Sequence, residues 1–600
     1  MEARDFDVVV IGSGFGGSVA ALRFAEAGQS VAVLERGAPT TRETFAADLQ
    51  FLWDPKRGRL GMSEYTRRGA NVFTWAGSTV GGGSYLFAGV LKRRADFAGF
   101  PAGIDADSLG PHYDQAERML GAQLYPTHHP YGDVRATRLM FHAERRLRRD
   151  HPEMVEEAGP LKLAVSFAPK GVPVGTPFVN AHGAPQRYSD PDESALLGGD
   201  IDSKNSLDKN YLFLAAARGA KISPLREADR IEPLPGGGYR VHYVERIPTV
   251  GGHASWRGAI FADGPPREEA GTVTARRVVI AAGALGSTQL LLRNRDLHRT
   301  LPALSPTLGT RYSTNGDYIT LMLPLPGMGL ALASLVLFFI LLATRGLALA
   351  TALALPLYWL GMALARKLYE PDRGTTCSDF ISLRSDRQHP ERAIVEGGRY
   401  PTPGKLSLAF VLSVLGLYRP ESYVRIGKLV TFLRNWIPPF GILARLLPLP
   451  LLQMGRDDAF GRVTLDPQGR ATIDFDMAAN RDYYAFQDKV ARLLSRASHA
   501  LWIRNPLFDR WGFLQVPHNL GGTPMGDDAG SGVVDHAGRV FGYDDLMVLD
   551  GSIIPVAVGP NPSLTITALA ERAMVAAVAQ LGREGHIRAR MRGADLERAG

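Results

Sequence analysis

A titratable imidazole and a carboxamide in the last sixth of the chain offer its clearest chemistry. His518 opens the run His518-Asn519-Leu520-Gly521-Gly522; Asp550-Gly551-Ser552 follows, and Asn561 stands before Pro562. An imidazole with an unperturbed pKa near ~6.5 can hold or take a proton at a substrate atom, and an amide could meet it at that same atom and orient it. The two residues lie 43 positions apart, so tertiary structure must bring them together. On residue type alone, His518 either takes a proton or mainly positions the group that carries it. Asn561 reads alternatively as a turn former ahead of Pro562.

The elements that would position this pair begin at the other end of the chain. Phe6 to Ile11 is a short β-rich run, followed by Gly12-Ser13-Gly14-Phe15-Gly16-Gly17, a helical stretch Ser18 to Ala27, a strand Ser30 to Leu34 and then Glu35. Strand, glycine turn, helix and strand are the context in which G-x-G-x-x-G marks a dinucleotide site. Gly12 permits the tight turn, Gly14 the approach of a pyrophosphate, and Gly17 the packing of helix on sheet. The helix N-terminus faces the phosphates, and Glu35 is placed to accept hydrogen bonds from ribose hydroxyls. A second block, Gly77 to Ser84, contains Gly81-Gly82-Gly83, as expected where backbone passes close to something flat or charged. A third, Arg277 to Leu291, reads as a buried strand, a turn and a helix start. No second complete G-x-G-x-x-G follows a strand, which disfavours an enzyme using two dinucleotides.

Composition bounds the rest. At 600 residues, 45% hydrophobic and 21% charged, the chain reads as a folded protein of two or more domains. Its one cysteine, Cys377, rules out an intramolecular disulfide and any Cys-x-x-Cys site, and fits a reducing compartment. The net charge of +8 is scattered, with no nucleic-acid recognition motif; a solvated basic surface is the first reading and attraction to an anionic membrane the second. The first seven residues mix acidic and basic side chains and lead directly into a strand, so no signal peptide is expected.

The middle of the chain differs. Residues 318 to 344 are uncharged, Arg345 interrupts, and 346 to 365 are uncharged again before Arg366-Lys367. The densest parts, Met328 to Ala343 and Leu347 to Ala365, approach the ~17–25 residues of a bilayer span. With Thr344-Arg345-Gly346 as a turn, they read as a helical hairpin that spans, re-enters or lies buried as a pair. Leu406 to Met454 mixes apolar runs with Arg425, Lys428, Arg434 and Arg445, which suits an interfacial surface or a lid over an apolar pocket.

These blocks resemble the glucose–methanol–choline (GMC) flavoprotein oxidoreductases, specifically their cholesterol-oxidase-like branch. The matching pieces are the N-terminal fingerprint, Gly81 to Ser84, Ser206 to Leu212, Gly283 to Leu291, Leu308-Gly309 with Asn315-Gly316, and nearly all of His518 to Arg572, roughly 40% of the chain. The resemblance implies an α/β fold: a Rossmann-type FAD-binding domain, a discontinuous α+β substrate-binding domain and the apolar hairpin as an insert. FAD binding would fall to residues 1–100, 196–316 and 515–600. The substrate domain would take 101–195 and 317–514, with the hairpin at 326–367.

By the same resemblance FAD is bound by Gly12, Gly14, Gly17 and Glu35, with adenine near Ala228. Gly82, Gly83, Asp550 and Gly551 would lie along its pyrophosphate and ribityl chain, and Pro562 near the isoalloxazine. No histidine occurs in 77–90, where some relatives attach the flavin, so a noncovalent FAD is expected. His518 and Asn561 carry over as the catalytic pair, with hydride passing to flavin N5. Glu396, in Ala393-Ile394-Val395-Glu396-Gly397-Gly398, is the match for a proton-moving glutamate; a surface or salt-bridged glutamate is the alternative. The implied activity is oxidation of the CH–OH group of a bulky apolar, sterol-like alcohol, with oxygen or another acceptor taking the electrons. A long-chain or terpenoid alcohol dehydrogenase is the alternative, and a non-catalytic flavoprotein the remaining one. The hairpin adds the expectation of a membrane partner, at the cytoplasmic face.

Overall fold

A computed structural model describes residues 4–42, 53–193, 201–248, 265–324, most of 330–368, 373–385, 392–398, 449–505 apart from 459, 508, and 512–598. Most of the run Leu406 to Met454 therefore lies outside the described residues.

The first sheet has seven strands, with the order Lys221–Ser223, Val31–Leu34, Phe6–Ile11, Arg267–Ile280, Tyr239–Ile247, Arg226–Pro233; Leu546–Val548 adds to Arg267–Ile280. Phe6–Ile11 lies parallel to both neighbours, and parallel neighbours require a crossover, which helix Phe15–Glu26 supplies. Val8, Val9, Val10, Val31 and Val33 are fully or almost fully buried, as expected for a strand covered on both faces. The long strand Arg267–Ile280 serves two partners: its first half pairs antiparallel with Tyr239–Ile247 and its last part parallel with Phe6–Ile11.

Register decides where a ligand can sit. Ile11 is level with Leu34 and Ile280, Leu34 with Ser223, and Ile280 with Val548. All five parallel strands thus end at one edge, and Gly12, Glu35, Ala281 and Asp550 emerge there within two residues of the strand ends. The carboxyl edge of a parallel sheet is where such folds open a crevice.

The second sheet is antiparallel, with the order Ala500–Ile503, Tyr318–Pro324, Leu449–Gly455, Arg392–Gly397, Asp379–Arg384, Val155–Pro160. Alternation sorts its faces. Ile381, Leu383, Ala393, Val395, Leu449 and Leu451 pack on helices Arg135–Asp150 and Arg481–Ala497. On the opposite face Ile319, Leu452, Glu396 and Phe380 stand in one cross-strand row, and this face turns to the first domain.

Helix Ala106–Met119, placed by sequence in the substrate part, packs instead in the nucleotide-side core against helix Ser563–Arg598. Its Leu109, Tyr113 and Ala116 are buried there, and Tyr113 Oη is 2.8 Å from Thr565 Oγ1. Helix Leu347–Leu368 falls almost wholly within the apolar stretch read from sequence as a hairpin. Among the described residues, the helix long and apolar enough to cross a membrane is Ser563–Arg583, half of it buried. Its Leu564, Ala568 and Ala570 sit in the first core, which accounts for its hydropathy.

Candidate active site

One cavity of about 460 Å³ runs from the sheet edge to the second domain, lined by Gly12, Gly14, Glu35, Gly82, Gly83, Ala228, Asp550, Gly551, His518, Asn561 and Pro562. At the sheet end, Gly12 adopts φ +98°, and a Cβ there would stand 2.3 Å from the Ala281 carbonyl oxygen. Gly17 does not line the cavity; a Cβ on it would stand 2.1 Å from the Gly12 carbonyl oxygen, so it serves the close packing of helix on turn. The following helix has no side-chain cap at Gly14 and no acid in its first turn, which leaves its positive end to an anionic ligand.

Glu35 Oε2 accepts from Ser13 N and Ser13 Oγ, and its Oε1 accepts from Gly37 N. Gly81 N donates to Ser13 Oγ, tying the triple-glycine loop to the fingerprint turn. Burial pushes the Glu35 carboxyl up, against these hydrogen bonds. Asp550 is held by Gly283 N, Ser287 Oγ and Ser552 N. Burial pushes it up too. An uncapped helix end, a glycine cradle and a buried acid at the second strand fit an extended dinucleotide.

Gly82, at φ +52°, has its missing Cβ 2.9 Å from Gly14 Cα. Valine there would force the loop into the cavity at a cost of about 1–3 kcal/mol. Gly82→Val is therefore expected to purify with FAD affinity lowered about ten- to hundredfold, with the far-ultraviolet circular dichroism of the wild type.

At the opposite end, strand Leu514–Val516 pairs parallel with Val72–Gly77 and delivers Pro517-His518 to the cavity. His518 N donates to Asp317 Oδ2 at 2.8 Å, and the ring Nδ1 lies 2.7 Å from Asp317 Oδ1. Asp317 is fully buried. Its ionised carboxylate can only accept, so it places the hydrogen on Nδ1 and leaves Nε2 as the other functional nitrogen. Burial lowers the His518 pKa, but Asp317, and then Glu396, outweigh it, and the net direction is up.

Asn561 is reached through a loop that Asn315 clamps. Asn315 Oδ1 accepts from Val558 N and Gly559 N at 2.9 and 3.0 Å, and its Nδ2 donates to the Pro560 carbonyl at 3.0 Å. Arg94 donates to the Ala557 carbonyl of the same loop. One turn, Ser313 to Asp317, therefore fixes both candidates: Asp317 holds His518 and Asn315 holds the approach to Asn561. Asp457 anchors that turn through Ser313 Oγ, Thr314 N and Thr314 Oγ1.

Asn561 is 5% exposed and its Oδ1 has no hydrogen-bond partner. Glu396 is fully buried, which removes the surface reading, and among the described residues no ion pair engages it. It lies behind the cavity wall. Burial pushes its carboxyl up to about 7, while the Cys377 thiol, His518 and the Asn561 amide favour the ionised form. Neither of its oxygens has a partner in hydrogen-bond geometry. The unpartnered Asn561 oxygen and the buried Glu396 carboxyl thus lie near His518, and a buried amide oxygen without a donor calls for a ligand.

Asp317 and Asn315 escape a reading of sequence. The dipeptide Asn315-Gly316 stands out, but its side-chain duties depend on loops more than 200 residues away. Lys204 escapes too: fully buried, it donates to the Tyr85 and Phe87 carbonyls at 2.8 and 2.6 Å, fixing the backbone after Gly83.

Comparison with known proteins accords with this geometry. Residues 457–570 match the GMC oxidoreductase family and 7–48 the FAD binding domain. A cholesterol oxidase of Mycobacterium tuberculosis is 30% identical, over 95% of this chain and 90% of its own. The chain belongs to the GMC oxidoreductase family. This GMC oxidoreductase is also 28% identical to a cholesterol oxidase of Acinetobacter baumannii, over 95% of this chain and 94% of that one. A paromamine 6'-oxidase of Streptomyces fradiae is 25% identical over 97% and 92%.

A fungal aryl-alcohol oxidase shares the fold at TM-score 0.55 and 16% identity, covering 97% of this chain and all of that one. A pyridoxine 4-oxidase from Mesorbium loti does so at 0.54 and 16%, covering 95% and 98%. The protein is a GMC-type flavin oxidoreductase acting on CH–OH groups, and its family implies FAD as cofactor.

Proposed function

We propose that this GMC oxidoreductase oxidises the secondary hydroxyl of a bulky apolar alcohol, sterol-like in shape, to a ketone. The observation that carries this reading is the pairing of His518 with buried Asp317 beside the unpartnered Asn561 oxygen, at the end of a cavity walled by Ile319, Leu452, Pro450 and Phe87. FAD, bound noncovalently along Gly12, Gly14, Glu35, Gly82, Gly83, Ala228, Asp550 and Gly551, with Gly17 packing its helix, supplies the hydride acceptor. His518 Nε2 accepts the hydroxyl proton and Asn561 orients the oxygen, the scale of such acid–base help being about 10²–10⁴ in rate. Asp317 holds the imidazole in the productive tautomer. Pro562 closes the wall where the cofactor ring would lie. Electrons leave to oxygen or another acceptor.

Glu396 is a buried acid poised near neutrality, suited to moving a proton on the substrate skeleton. Glu396→Gln is expected to keep cofactor reduction within about tenfold of wild type. It should also slow proton movement on the substrate skeleton and remove from the pH profile of that step an inflection near pH 7, in line with a carboxyl pushed up to about 7. An unchanged inflection would assign it elsewhere.

The uncharged stretches on either side of Arg345, read as a helical hairpin over 326–367, support a membrane-associated enzyme at the cytoplasmic face. Anaerobic bleaching of the bound flavin by a panel of sterols, terpenoid and long-chain alcohols, followed by readmission of oxygen, tests the substrate class. Rapid bleaching by sterols supports the reading. Bleaching by linear alcohols alone would replace it with a long-chain alcohol dehydrogenase.

A further inference from the structure

Helix Leu347–Leu368 is covered along a narrow stripe. Ala354, Tyr358 and Gly361 are buried, at helical spacing. Leu349, Leu353, Leu355, Leu357, Trp359 and Leu360 are each 39 to 53% exposed. At ~100° per residue these six spread over roughly 200° of the circumference, and the buried stripe over about 60°. A folded partner would cover one face. Apolar exposure on nearly every other side is matched by a fluid apolar medium.

The neighbouring helix has the opposite character. Arg135–Asp150 packs against Leu347–Leu368 and carries six arginines against one glutamate and one aspartate. Its Ala136, Met140, Ala143 and Leu147 face the core, which turns Arg138, His142, Arg145 and Arg149 to the exposed side. Arg138 and Arg149 are 61% and 69% exposed although they engage Asp133 and Asp150. Arg145 has no hydrogen bond or ion pair among the described residues. An apolar rod beside a basic row has the profile of a leaflet with anionic headgroups.

We infer that these two helices form one docking surface for anionic phospholipid. Leu347–Leu368 enters the acyl layer, and Arg138, Arg145 and Arg149 meet the headgroup phosphates. The inference deepens the membrane reading above and rests on it. The segments that flank the insert in sequence both contribute to the cavity lining. Strand Tyr318–Pro324 contributes Ile319 to the lining on one side, and Thr376-Cys377 contribute on the other.

Flotation of the full-length holoenzyme with phosphatidylcholine vesicles, and with the same vesicles containing phosphatidylglycerol, tests it. The anionic vesicles are expected to bind at least about tenfold more protein, given the pull of each surface arginine. This preference should vanish near ~1 M salt, where the Debye length is about 3 Å. Arg138→Gln/Arg145→Gln/Arg149→Gln should abolish the preference while keeping phosphatidylcholine binding, flavin content and activity on a detergent-dispersed alcohol. Equal binding to both vesicles, a preference insensitive to salt, or one unchanged in the triple variant would overturn the inference and leave membrane association standing. No flotation with either lipid would overturn both.

Discussion

His518→Ala is expected to slow reduction of the bound flavin by its best alcohol about 10²–10⁴-fold, the range for loss of a general base. The side chain lines the cavity, its Nδ1 is committed to Asp317, and among the described residues no hydrogen bond engages Nε2. FAD content should hold, because the residues that cradle the cofactor lie at the sheet edge, away from the imidazole. The variant leaves Asp317 buried without its ring partner; burial already pushes this carboxyl up, so it can take a proton rather than remain a lone charge. His518→Gln gives the same kinetic test with a side chain able to donate to Asp317. Anaerobic stopped-flow reduction reads both variants. A rate within about threefold of wild type in each would remove His518 from the chemistry.

Asp317→Ala should cost a comparable factor, on the order of 10²–10⁴, the scale set by a buried carboxylate that orients a catalytic imidazole. Its distinguishing mark is in pH. Asp317 raises the His518 pKa against the effect of burial, so in the wild type the acid limb of the reduction rate lies above that of an ordinary histidine. A base must be neutral to accept a proton, and activity falls as pH drops through that raised value. Without Asp317, burial dominates and the His518 pKa moves down. The acid limb should therefore shift to lower pH while the plateau falls. A purely structural Asp317 would lower the plateau with the limb unmoved. Asp317→Asn should keep the backbone bond from His518 N while losing the charge, and shift the limb in the same direction.

The sheet edge is legible in sequence because its physics is local. Phe6 to Glu35 is one strand–turn–helix–strand unit in which each glycine answers a steric demand, and helix Phe15–Glu26 begins within a few residues of the expected start. The joining of His518 and Asn561 is not local. It depends on the turn Ser313 to Asp317, whose partners lie at 457, 518 and 558–560. No periodicity or spacing in the chain carries that information. Glu396 reads as an ordinary strand residue by alternation; its burial follows only from the cross-strand row Ile319, Leu452, Glu396 and Phe380. Helix Ala106–Met119 has a capping box and an amphipathic pattern that say helix, and neither says which core it joins.

The central claim is that a CH–OH group of an apolar alcohol is oxidised between His518, Asn561 and the bound cofactor. The most direct measurement is anaerobic single-turnover reduction of the holoenzyme by a 3-hydroxysteroid, protiated or deuterated at the carbinol carbon, in wild type and Asn561→Ala. Full bleaching is expected in the wild type, slowed several-fold by deuterium, with a rate at least about a hundredfold lower in Asn561→Ala. Bleaching without an isotope effect, or at an undiminished rate in Asn561→Ala, would contradict that claim.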